Sequence, residues 1–329
     1  MNDASVGILS AASFLPQQTA TVREIFAEEG IPADREDTSR LGIEQVHVFD
    51  GESPTDMAIE ASLAALKSGG LLATDIDAII DFSVMPQKYV EPAWSMSNEL
   101  QAVLAARNAF TLGFSGGGCA NLHVAIKFAM SLIRTNNDID TVLLVASDRA
   151  IAGNRVIDRD KPITIIGDAA SAFILQRAAQ EGTIIDTAVV SEGRLHDVLN
   201  IPGGGMAHPT RLDLYRLMLN REKYESVATM TTLKSISETL LVKHALEMNS
   251  VDHLIVPNIS HADIDAFLQG MGRRDNISRR NLARFGHVHS TDLVLNYLSM
   301  KETGIAKGDH VMMASHGMGF TSGATLIRY

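Results

Sequence analysis

The segment Gly113–Leu122, with the sequence GFSGGGCANL, decides more about the fold than any other stretch of the chain. Its three consecutive glycines permit a tight turn from a strand into a following helix, which we predict over Ala120–Ile133. Cys119 then lies at or near the start of that helix, where the positive end of the helix dipole favours the nucleophilic thiolate. We therefore predict that Cys119 is a nucleophile, and that backbone N–H groups of the turn bind a developing oxyanion.

Two other interpretations of this segment stay open. A free cysteine is often a small buried hydrophobic residue without chemistry of its own. A phosphate-binding loop also uses glycines, but no lysine follows them here and the chain has no GxGxxG motif. The position of Cys119, after three glycines and before a helix, favours the nucleophile.

The two halves of the chain have similar sequence patterns. In the first half a predicted helix, Pro54–Lys67, precedes the β-rich segment Ile76–Val84. In the second half the predicted helix Thr231–Met248 precedes the strand His253–Val256. Continuous apolar strands between helices indicate sheets that are buried on both faces, as in α/β proteins. Two similar α/β halves, or two unrelated α/β units of similar composition, would both give this pattern.

We place the boundary between the halves after residue 178, which gives units 1–178 and 179–329. The stretch around 192–230 contains Pro202-Gly203-Gly204-Gly205 and is predicted to be irregular at first. An amphipathic helix is predicted around Asp213–Asn220. We interpret this stretch of the second half as an insertion that caps a site and borders its entrance.

Composition narrows the functional classes. The chain has 329 residues, 46% hydrophobic and 20% charged, which is typical of a globular protein. It has 28 basic and 39 acidic side chains and a formal net charge of −11, without a cluster of Lys and Arg. Nucleic acid is therefore not an expected partner.

The chain is expected to be a soluble cytoplasmic protein. Its longest uncharged stretch, Asn108–Ile126, contains glycines and polar residues that a membrane span of about 20 apolar residues would not have. The N-terminus has no basic region of the kind that begins a secretory signal. The single cysteine cannot form an intrachain disulfide, which fits a reducing compartment.

Motifs along almost the whole chain resemble the thiolase-fold condensing enzymes of the ketoacyl-acyl carrier protein (ACP) synthase III type. They are Arg40-Leu41-Gly42-Ile43, the glycine-rich cysteine turn, Ile166–Ala172, Ile201–Pro209, Phe285-Gly286 and Ser315–Ala324. The resemblance implies an α/β thiolase-like fold, with two duplicated halves in a layered α-β-α-β-α arrangement. It also implies a homodimer and an acyl donor that is either a CoA thioester or a phosphopantetheinyl-ACP.

Two positions depart from the family pattern. The family has a His in a Pro-His-Gln-Ala-Asn motif, and the corresponding residue here is Asn258. The family has an Asn after a Gly in a later loop, and the corresponding residue here is His287. In the family this His and Asn promote decarboxylation of a malonyl thioester. The exchange therefore suggests different chemistry.

The remaining base for Cys119 is His287, and Asp292 follows five residues later. We predict that Ser290 or a neighbour caps a helix over Thr291–Met300, which folds Asp292 back toward His287. A Cys–His–Asp arrangement would result, in which Asp292 holds the imidazole tautomer. This resembles a minority branch of the family, from polyketide and antibiotic pathways, that transfers acyl groups without forming a carbon–carbon bond. A helix-dipole role for Asp292 stays an alternative.

The resemblance also implies roles for supporting residues. Backbone amides of Cys119 and of the Met318-Gly319 turn would form an oxyanion hole. Met85 and Trp94 would border the acyl pocket, although both residue types are common in ordinary cores. Gly204 would lie at the entrance. Asn258 would donate to the acyl carbonyl or only fill space, and His261 and His289 are alternative bases.

Carrier recognition is assigned to two arginines. In CoA-using relatives a Trp four residues before the Arg-x-Gly-Ile motif stacks on adenine, and the residue here is Glu36. This mildly favours ACP as the donor, with Arg35 and Arg40 on its phosphopantetheine phosphate or acidic surface. Solvated surface arginines are the alternative. The sequence has no Cys/His spacing typical of a metal site, so no metal is expected.

The leading functional hypothesis is a ping-pong acyltransferase of secondary metabolism. His287 takes the proton of Cys119, the thiolate attacks an acyl thioester, and His287 then deprotonates an alcohol, amine or thiol acceptor. One alternative is decarboxylative condensation, with Asn258 and His287 exchanging roles in space. A second alternative is a non-catalytic partner subunit in a heterodimer.

Overall fold

The computed structural model of the chain describes residues 5–32, 39–89, 94–227, 229–272 and 277–329. The helices are α1 (Val22–Glu28), α2 (Pro54–Gly69), α3 (Met96–Leu104), α4 (Asn121–Thr135), α5 (Arg221–Ser226), α6 (Thr229–Lys243), α7 (His261–Gly270), α8 (Ile277–Phe285) and α9 (Thr291–Thr303). The strands are β1 (Val6–Phe14), β2 (Thr19–Thr21), β3 (Gln45–His47), β4 (Ala78–Asp81), β5 (Phe110–Gly113), β6 (Thr141–Asp148), β7 (Val156–Ile157), β8 (Thr164–Ile165), β9 (Ala169–Arg177), β10 (Thr183–Ser191), β11 (Leu199–Asn200), β12 (Met218–Leu219), β13 (His253–Ile255), β14 (His310–Gly317) and β15 (Thr321–Arg328).

Nine strands form one mixed sheet in the order β13-β14-β15-β10-β1-β9-β6-β4-β5. The pairs β4–β5, β4–β6 and β13–β14 are parallel, and the others are antiparallel. Strands from the first half of the chain occupy one side of the order and strands from the second half the other. They meet where β1 pairs with β10 at Gly7 and Thr183. The predicted boundary after residue 178 lies between β9 and β10 and stays a prediction.

Helices cover the strands in layers. Helix α4 contacts strands of both halves, and α9 packs against β1, β9 and β13 and shares an apolar cluster with α4. Helix α2 packs on the opposite face of the first-half strands, and α6 packs on the opposite face of the second-half strands. The alternation of side chains along a strand explains this, because Leu143 faces the α2 cluster whereas Leu144 faces the central helices. The predicted layered α/β, thiolase-like fold is confirmed.

Local sequence fixes the ends of helix α2. Ser53 accepts a hydrogen bond from the Asp56 N–H, and Asp56 accepts one from the Ser53 N–H, so the two residues form a capping box. Pro54 occupies the first turn, and Gly70 ends the helix in the left-handed conformation, with φ +66°. The helix that was predicted over Pro54–Lys67 therefore runs two residues further.

The helix predicted around Asp213–Asn220 is wrong. That stretch contains a short 3₁₀ turn at Leu212–Leu214 and the strand β12, which pairs with β11. The Leu214 carbonyl accepts from the Gly203 N–H, so a tertiary contact holds the segment in a loop. Asn220 caps helix α5, whose N-terminal Lys223 N–H donates to its side chain. The spacing of apolar residues that predicted a helix here occurs in a loop and a strand instead.

In the parts of the chain that the structure describes, none of the helices has the length and apolar character needed to cross a bilayer.

Candidate active site

Cys119 lies in a 3₁₀ turn, Gly118–Ala120, that leads directly into helix α4. Gly118 has φ +54°, and a Cβ there would lie 2.9 Å from the Gly317 Cα, so glycine is required on steric grounds. Two hydroxyls hold the turn, because Ser290 Oγ donates to the Gly118 carbonyl and Ser315 Oγ donates to the Cys119 carbonyl. Cys119 is buried, with 8% of the residue exposed.

The role predicted for Ser290 differs from its place in the structure. Its side chain makes no capping hydrogen bond to helix α9, although the helix begins at Thr291 as predicted. The hydroxyl turns instead toward the cysteine turn. Ser290 therefore connects α9 with the segment that carries Cys119.

His287 faces the cysteine. Its backbone N–H donates to the Ile165 carbonyl at 2.9 Å, and its carbonyl accepts from the Gly167 N–H at 3.0 Å. Its Nε2 lies 3.4 Å from Cys119 Sγ, and its Nδ1 lies 2.6 Å from an Asp292 carboxylate oxygen. The structure thus brings together the three residues that the sequence predicted as a Cys–His–Asp arrangement.

Asp292 is fully buried in the first turn of α9, and three N–H groups surround its carboxylate. The donors are His287 Nδ1 and the backbone N–H groups of Val288 and Asn258. A carboxylate with this many donors is held in one orientation, and it keeps the His287 ring oriented by accepting the hydrogen on Nδ1.

Asn258 lies next to Asp292, to which its backbone N–H donates a hydrogen bond. Its Oδ1 accepts from Asn296, and among the described residues its Nδ2 has no hydrogen-bond partner. It does not line the cavity beside Cys119. Its backbone supports Asp292, whereas the predicted contact of its side chain with an acyl carbonyl has no counterpart in this arrangement.

The pKa of His287 is shifted strongly. Burial alone lowers it, but the charges of Asp292 and Cys119 outweigh burial and hold the pKa well above its usual value of 6.5. The imidazole is therefore protonated at neutral pH. A cation 3.4 Å from sulfur stabilises a thiolate, which is the nucleophilic form of cysteine.

Two further histidines line the same cavity. His289 Nδ1 lies 3.7 Å from Cys119 Sγ, whereas the His316 ring stacks on Phe320 with centroids 5.4 Å apart. The sequence predicts His289 as an alternative base and indicates no role for His316. The position of His316 in the terminal motif, next to Gly317, is the sequence feature that could have indicated its place in the site. His261 begins helix α7, where its ring packs over Gly42, and it is not brought to the cysteine.

Burial shifts the pKa of both histidines downward. Burial, followed by the charge of His287, holds the pKa of His289 well below 6.5. The same two causes lower the pKa of His316 to about 4. Each of these imidazoles is neutral at pH 7.

The cavity beside Cys119 has a volume of about 230 Å³. Most of its wall is aliphatic, and the apolar residues include Val84, Met85, Ile157, Ile163, Leu199 and Ile201. Met85 thus lies where the sequence predicted. Trp94 does not line the cavity, because its ring packs with the α2 and α3 cluster and its Nε1 donates to Glu99.

A second cavity, of about 520 Å³, shares Val84, Met85 and Ile201 with the first. Gly204 and Tyr215 line it. The glycine-rich part of the insertion therefore borders a space next to the cavity of Cys119, as expected for an entrance.

Two backbone segments meet beside the sulfur. A Cβ on Gly317 would lie 2.7 Å from the Cys119 amide nitrogen, and a Cβ on Gly118 would lie 3.2 Å from the Met318 amide nitrogen. The amides of Cys119 and Met318 are thus neighbours, as an oxyanion hole requires. Gly319 does not line the cavity.

Substitution of Gly317 by alanine is expected to disturb this contact. The new Cβ would lie 2.0 Å from the Gly117 carbonyl oxygen, and backbone atoms cannot rotate away as a side chain does. We expect the free energy of unfolding to fall by about 1–3 kcal/mol, measured by urea denaturation. Gly193→Ala is the matched control because a Cβ there has no neighbour within 4 Å. Equal stability of the two variants would contradict the prediction.

Of the two arginines assigned to carrier binding, Arg35 lies outside the described residues. Arg40 is half-buried, and its guanidinium donates to the Pro162 carbonyl. The Arg40 guanidinium thus already makes a hydrogen bond within the protein. Its contact with a carrier phosphate stays a prediction.

The ligand atoms of Cys119, His287 and His289 lie within 4.8 Å of one another, so these side chains could hold a metal ion. Sequence spacing did not indicate this group because helix α4 and the loop before α9 are far apart in the chain. Asp292 already orients His287 toward the sulfur, so that His287 can exchange a proton with Cys119. The expectation that no metal is needed stays a prediction.

Comparisons with known proteins identify the family and the fold that this chain resembles. A sequence profile for 3-oxoacyl-[acyl-carrier-protein (ACP)] synthase III matches residues 116–193, and the profile for its C-terminal part matches residues 241–329. Together they match half of the chain. The chain is 27% identical over 330 residues to the β-ketoacyl-[acyl-carrier-protein] synthase III of Campylobacter concisus, covering 98% of this chain and 96% of the relative.

Solved structures share the fold. The priming β-ketosynthase of the R1128 polyketide biosynthetic pathway has a TM-score of 0.84 at 19% identity, over 98% of this chain and 96% of the other. ChlB3, described as an acyltransferase, has a TM-score of 0.80 at 19% identity, over 98% of this chain and 97% of the other.

Proposed function

Because the chain belongs to the 3-oxoacyl-ACP synthase III-like family of acyl-transferring enzymes, we propose that it is an acyltransferase that works through an acyl-Cys119 intermediate. The donor is a thioester of ACP or CoA, and the acceptor is an alcohol, an amine or a carrier thiol. The observation that carries this proposal is the buried chain of contacts from Cys119 through His287 to Asp292.

The first half-reaction follows from the charges of these groups. Protonated His287 stabilises the Cys119 thiolate, which attacks the carbonyl carbon of the donor thioester. The amides of Cys119 and Met318 donate to the tetrahedral oxyanion. The carbon–sulfur bond to the donor breaks, and the leaving thiolate takes a proton from His287.

The environment of Asn258 supports transfer over decarboxylative condensation. The resemblance assigns decarboxylation to a His and an Asn that both reach the substrate. Here the residue at the His position is Asn258, which bonds to Asn296 and lies outside the cavity. The residue at the Asn position is His287, whose charge stabilises a thiolate. ChlB3, of the same fold, is described as an acyltransferase.

Condensation is the second candidate, and one observation favours it. His289 and His316 are neutral and line the cavity, so they could donate to an enolate in place of the usual His and Asn. Both candidates share the acyl-Cys119 intermediate.

Incubation with malonyl-CoA and acetyl-CoA separates the two candidates. We expect acyl adducts on Cys119 in intact-protein mass spectrometry, and no carbon dioxide release above the level of a Cys119→Ala control. Carbon dioxide released in step with a β-ketoacyl product would show condensation instead. A protein that accepts no thioester would match the non-catalytic partner.

We also propose a homodimer, with support from the sheet edge. Strand β5 ends the nine-stranded sheet, and its Phe110 is 42% exposed. An unpaired strand at a sheet edge offers its backbone groups to a second chain.

A further inference from the structure

Three metal-ligating atoms converge beside the cavity of Cys119. Cys119 Sγ lies 3.4 Å from His287 Nε2 and 3.7 Å from His289 Nδ1, and the three atoms lie within 4.8 Å of one another. Thiolate sulfur and imidazole nitrogen are ligands that Zn²⁺ prefers in proteins, whereas hard cations such as Ca²⁺ and Mg²⁺ take oxygen ligands. This donor set therefore fits Zn²⁺.

The distances between these atoms fit a tetrahedral ion. With a Zn–S bond of about 2.3 Å and Zn–N bonds of about 2.05 Å, the two sulfur–nitrogen distances correspond to S–Zn–N angles of about 103° and about 116°. These values lie on either side of the tetrahedral angle of about 109° that zinc sites adopt. An ion of this size thus matches the spacing between the sulfur and each nitrogen.

Asp292 supplies the outer contact that zinc-bound histidines usually have. A histidine that binds a metal through one ring nitrogen generally donates from the other nitrogen to a carboxylate, which orients the ring and strengthens it as a ligand. His287 Nδ1 donates to Asp292 at 2.6 Å, and the backbone N–H groups of Val288 and Asn258 hold that carboxylate. The His287 ring is therefore oriented as a ligand by the protein itself.

His289 is directed toward the same sulfur but has a weaker outer contact. Its backbone φ is +55°, in the left-handed region that a residue with a side chain adopts only where the surrounding structure maintains it. Coordination through Nδ1 leaves the ring hydrogen on Nε2, which has no hydrogen-bond partner among the described residues. The lack of one outer partner typically weakens metal binding by about 10–100-fold. The site is thus suited to a reversible ion instead of a permanent one.

The cavity provides a path to the three ligands and room for a fourth. Cys119, His287 and His289 all line the cavity of about 230 Å³. Zinc sites with three protein ligands keep the fourth position for water or another small ligand. Water that enters through the cavity completes the tetrahedron.

We propose that Cys119, His287 and His289 form a reversible Zn²⁺ site, and that the bound ion blocks acylation of Cys119. Zn²⁺ displaces the proton between His287 Nε2 and the sulfur, and this proton leaves to solvent. The sulfur electron pair that attacks a thioester is then donated to the metal, so the ion and an acyl group exclude each other. The block rests on the proposed acyl transfer, whereas the metal site rests only on the three side chains.

The test uses Co²⁺ as a spectroscopic substitute for Zn²⁺ in the reduced, metal-free, full-length protein. A thiolate bound to Co²⁺ absorbs in the near ultraviolet. The chain has one cysteine, so this absorption can come only from Cys119. Zn²⁺ is then added as a competitor, and acylation by acetyl-CoA is measured by intact-protein mass spectrometry at defined free Zn²⁺ concentrations.

We expect one Co²⁺ per chain with thiolate absorption, and its displacement by Zn²⁺. At a free Zn²⁺ concentration 100 times the dissociation constant, about 1% of the protein is metal-free, so acylation should slow by about 100-fold and recover with a chelator. His289→Asn removes a ligand, and asparagine tolerates the left-handed conformation, so this variant should bind Zn²⁺ at least about 100-fold more weakly. His208→Gln is the matched control, because His208 is exposed in the insertion.

Four results would overturn parts of this proposal in distinguishable ways. A Co²⁺ complex without thiolate absorption would overturn the site, and so would equal absorption in wild-type protein alkylated on Cys119 beforehand, a sample that needs no substitution. Equal Zn²⁺ affinity of His289→Asn and the wild type would overturn the ligand set. Full acylation of zinc-saturated protein would overturn the block. Failure of the metal-free wild type to form any acyl adduct would overturn the proposed function, while the Co²⁺ spectrum still decides the metal site.

Discussion

Cys119→Ala is expected to abolish the covalent acyl adduct completely. The chain has one cysteine, so an adduct on sulfur can form at this position only. The thiol lies 3.4 Å from a protonated imidazole, and we propose that this cation activates the sulfur while the amides of Cys119 and Met318 stabilise the oxyanion. Alanine fits a position that holds a small buried side chain, so the fold should persist. Intact-protein mass spectrometry after incubation with acyl-CoA gives the result.

Cys119→Ser serves as the matched control for shape. Its hydroxyl has nearly the size of the thiol, but a serine alcohol is far less acidic and is not ionised by the same imidazolium. We expect adduct formation to be at least about 10²-fold slower than in the wild type. Acylation of the alanine variant at the wild-type rate would disprove the role of Cys119 as the nucleophile.

The second large effect is expected for His287→Gln. Removal of the imidazolium takes away the cation beside Sγ and leaves the Asp292 carboxylate with one donor fewer. We expect the acylation rate to fall by about 10²–10⁴-fold, measured in a single turnover with acyl-CoA. His208→Gln is the matched control, because His208 is exposed in the insertion.

The rate of Cys119 alkylation by iodoacetamide, measured as a function of pH, tests the same effect of the His287 imidazolium. The pKa of His287 is raised, so the imidazole is charged at pH 6 and loses its proton only as the pH rises through that higher pKa. The imidazolium lies 3.4 Å from Sγ and favours the nucleophilic thiolate, so wild-type Cys119 should react faster than the same cysteine in His287→Gln at neutral pH. This difference in rate should shrink as the pH rises through the raised pKa of His287. Identical pH profiles for the two proteins would rule out the ion pair.

Several features of the protein were available from sequence. Three glycines before Cys119 predicted the turn and the following helix, which begins one residue later than predicted, at Asn121, and ends two residues later, at Thr135. The capping residues of helix α2 and the apolar strands β6 and β14 were also local features. These features depend on neighbours within one turn or one strand, which a single sequence records directly.

The family resemblance also predicted site residues that are distant from Cys119 in the sequence. It singled out His287 and Asp292 on the basis of matching positions, and the structure places both beside Cys119. It was less informative for Trp94, which lies in a different core cluster, and for Asn258, which supports Asp292 from behind. Motif position identifies a segment, but it does not determine which way each side chain turns.

Tertiary structure alone decided which of the alternative histidines meets the sulfur. His289 and His261 were equivalent candidates in the sequence, yet only His289 lies near Sγ, at 3.7 Å across 170 residues of chain. This distance depends on the packing of α4 and α9 between the two sets of strands, and on a left-handed backbone at His289. Sequence therefore determined the turn that carries Cys119, because a turn depends on local geometry. The approach of the histidines to the sulfur and the shape of the cavity came from contacts between distant segments, which no local pattern encodes.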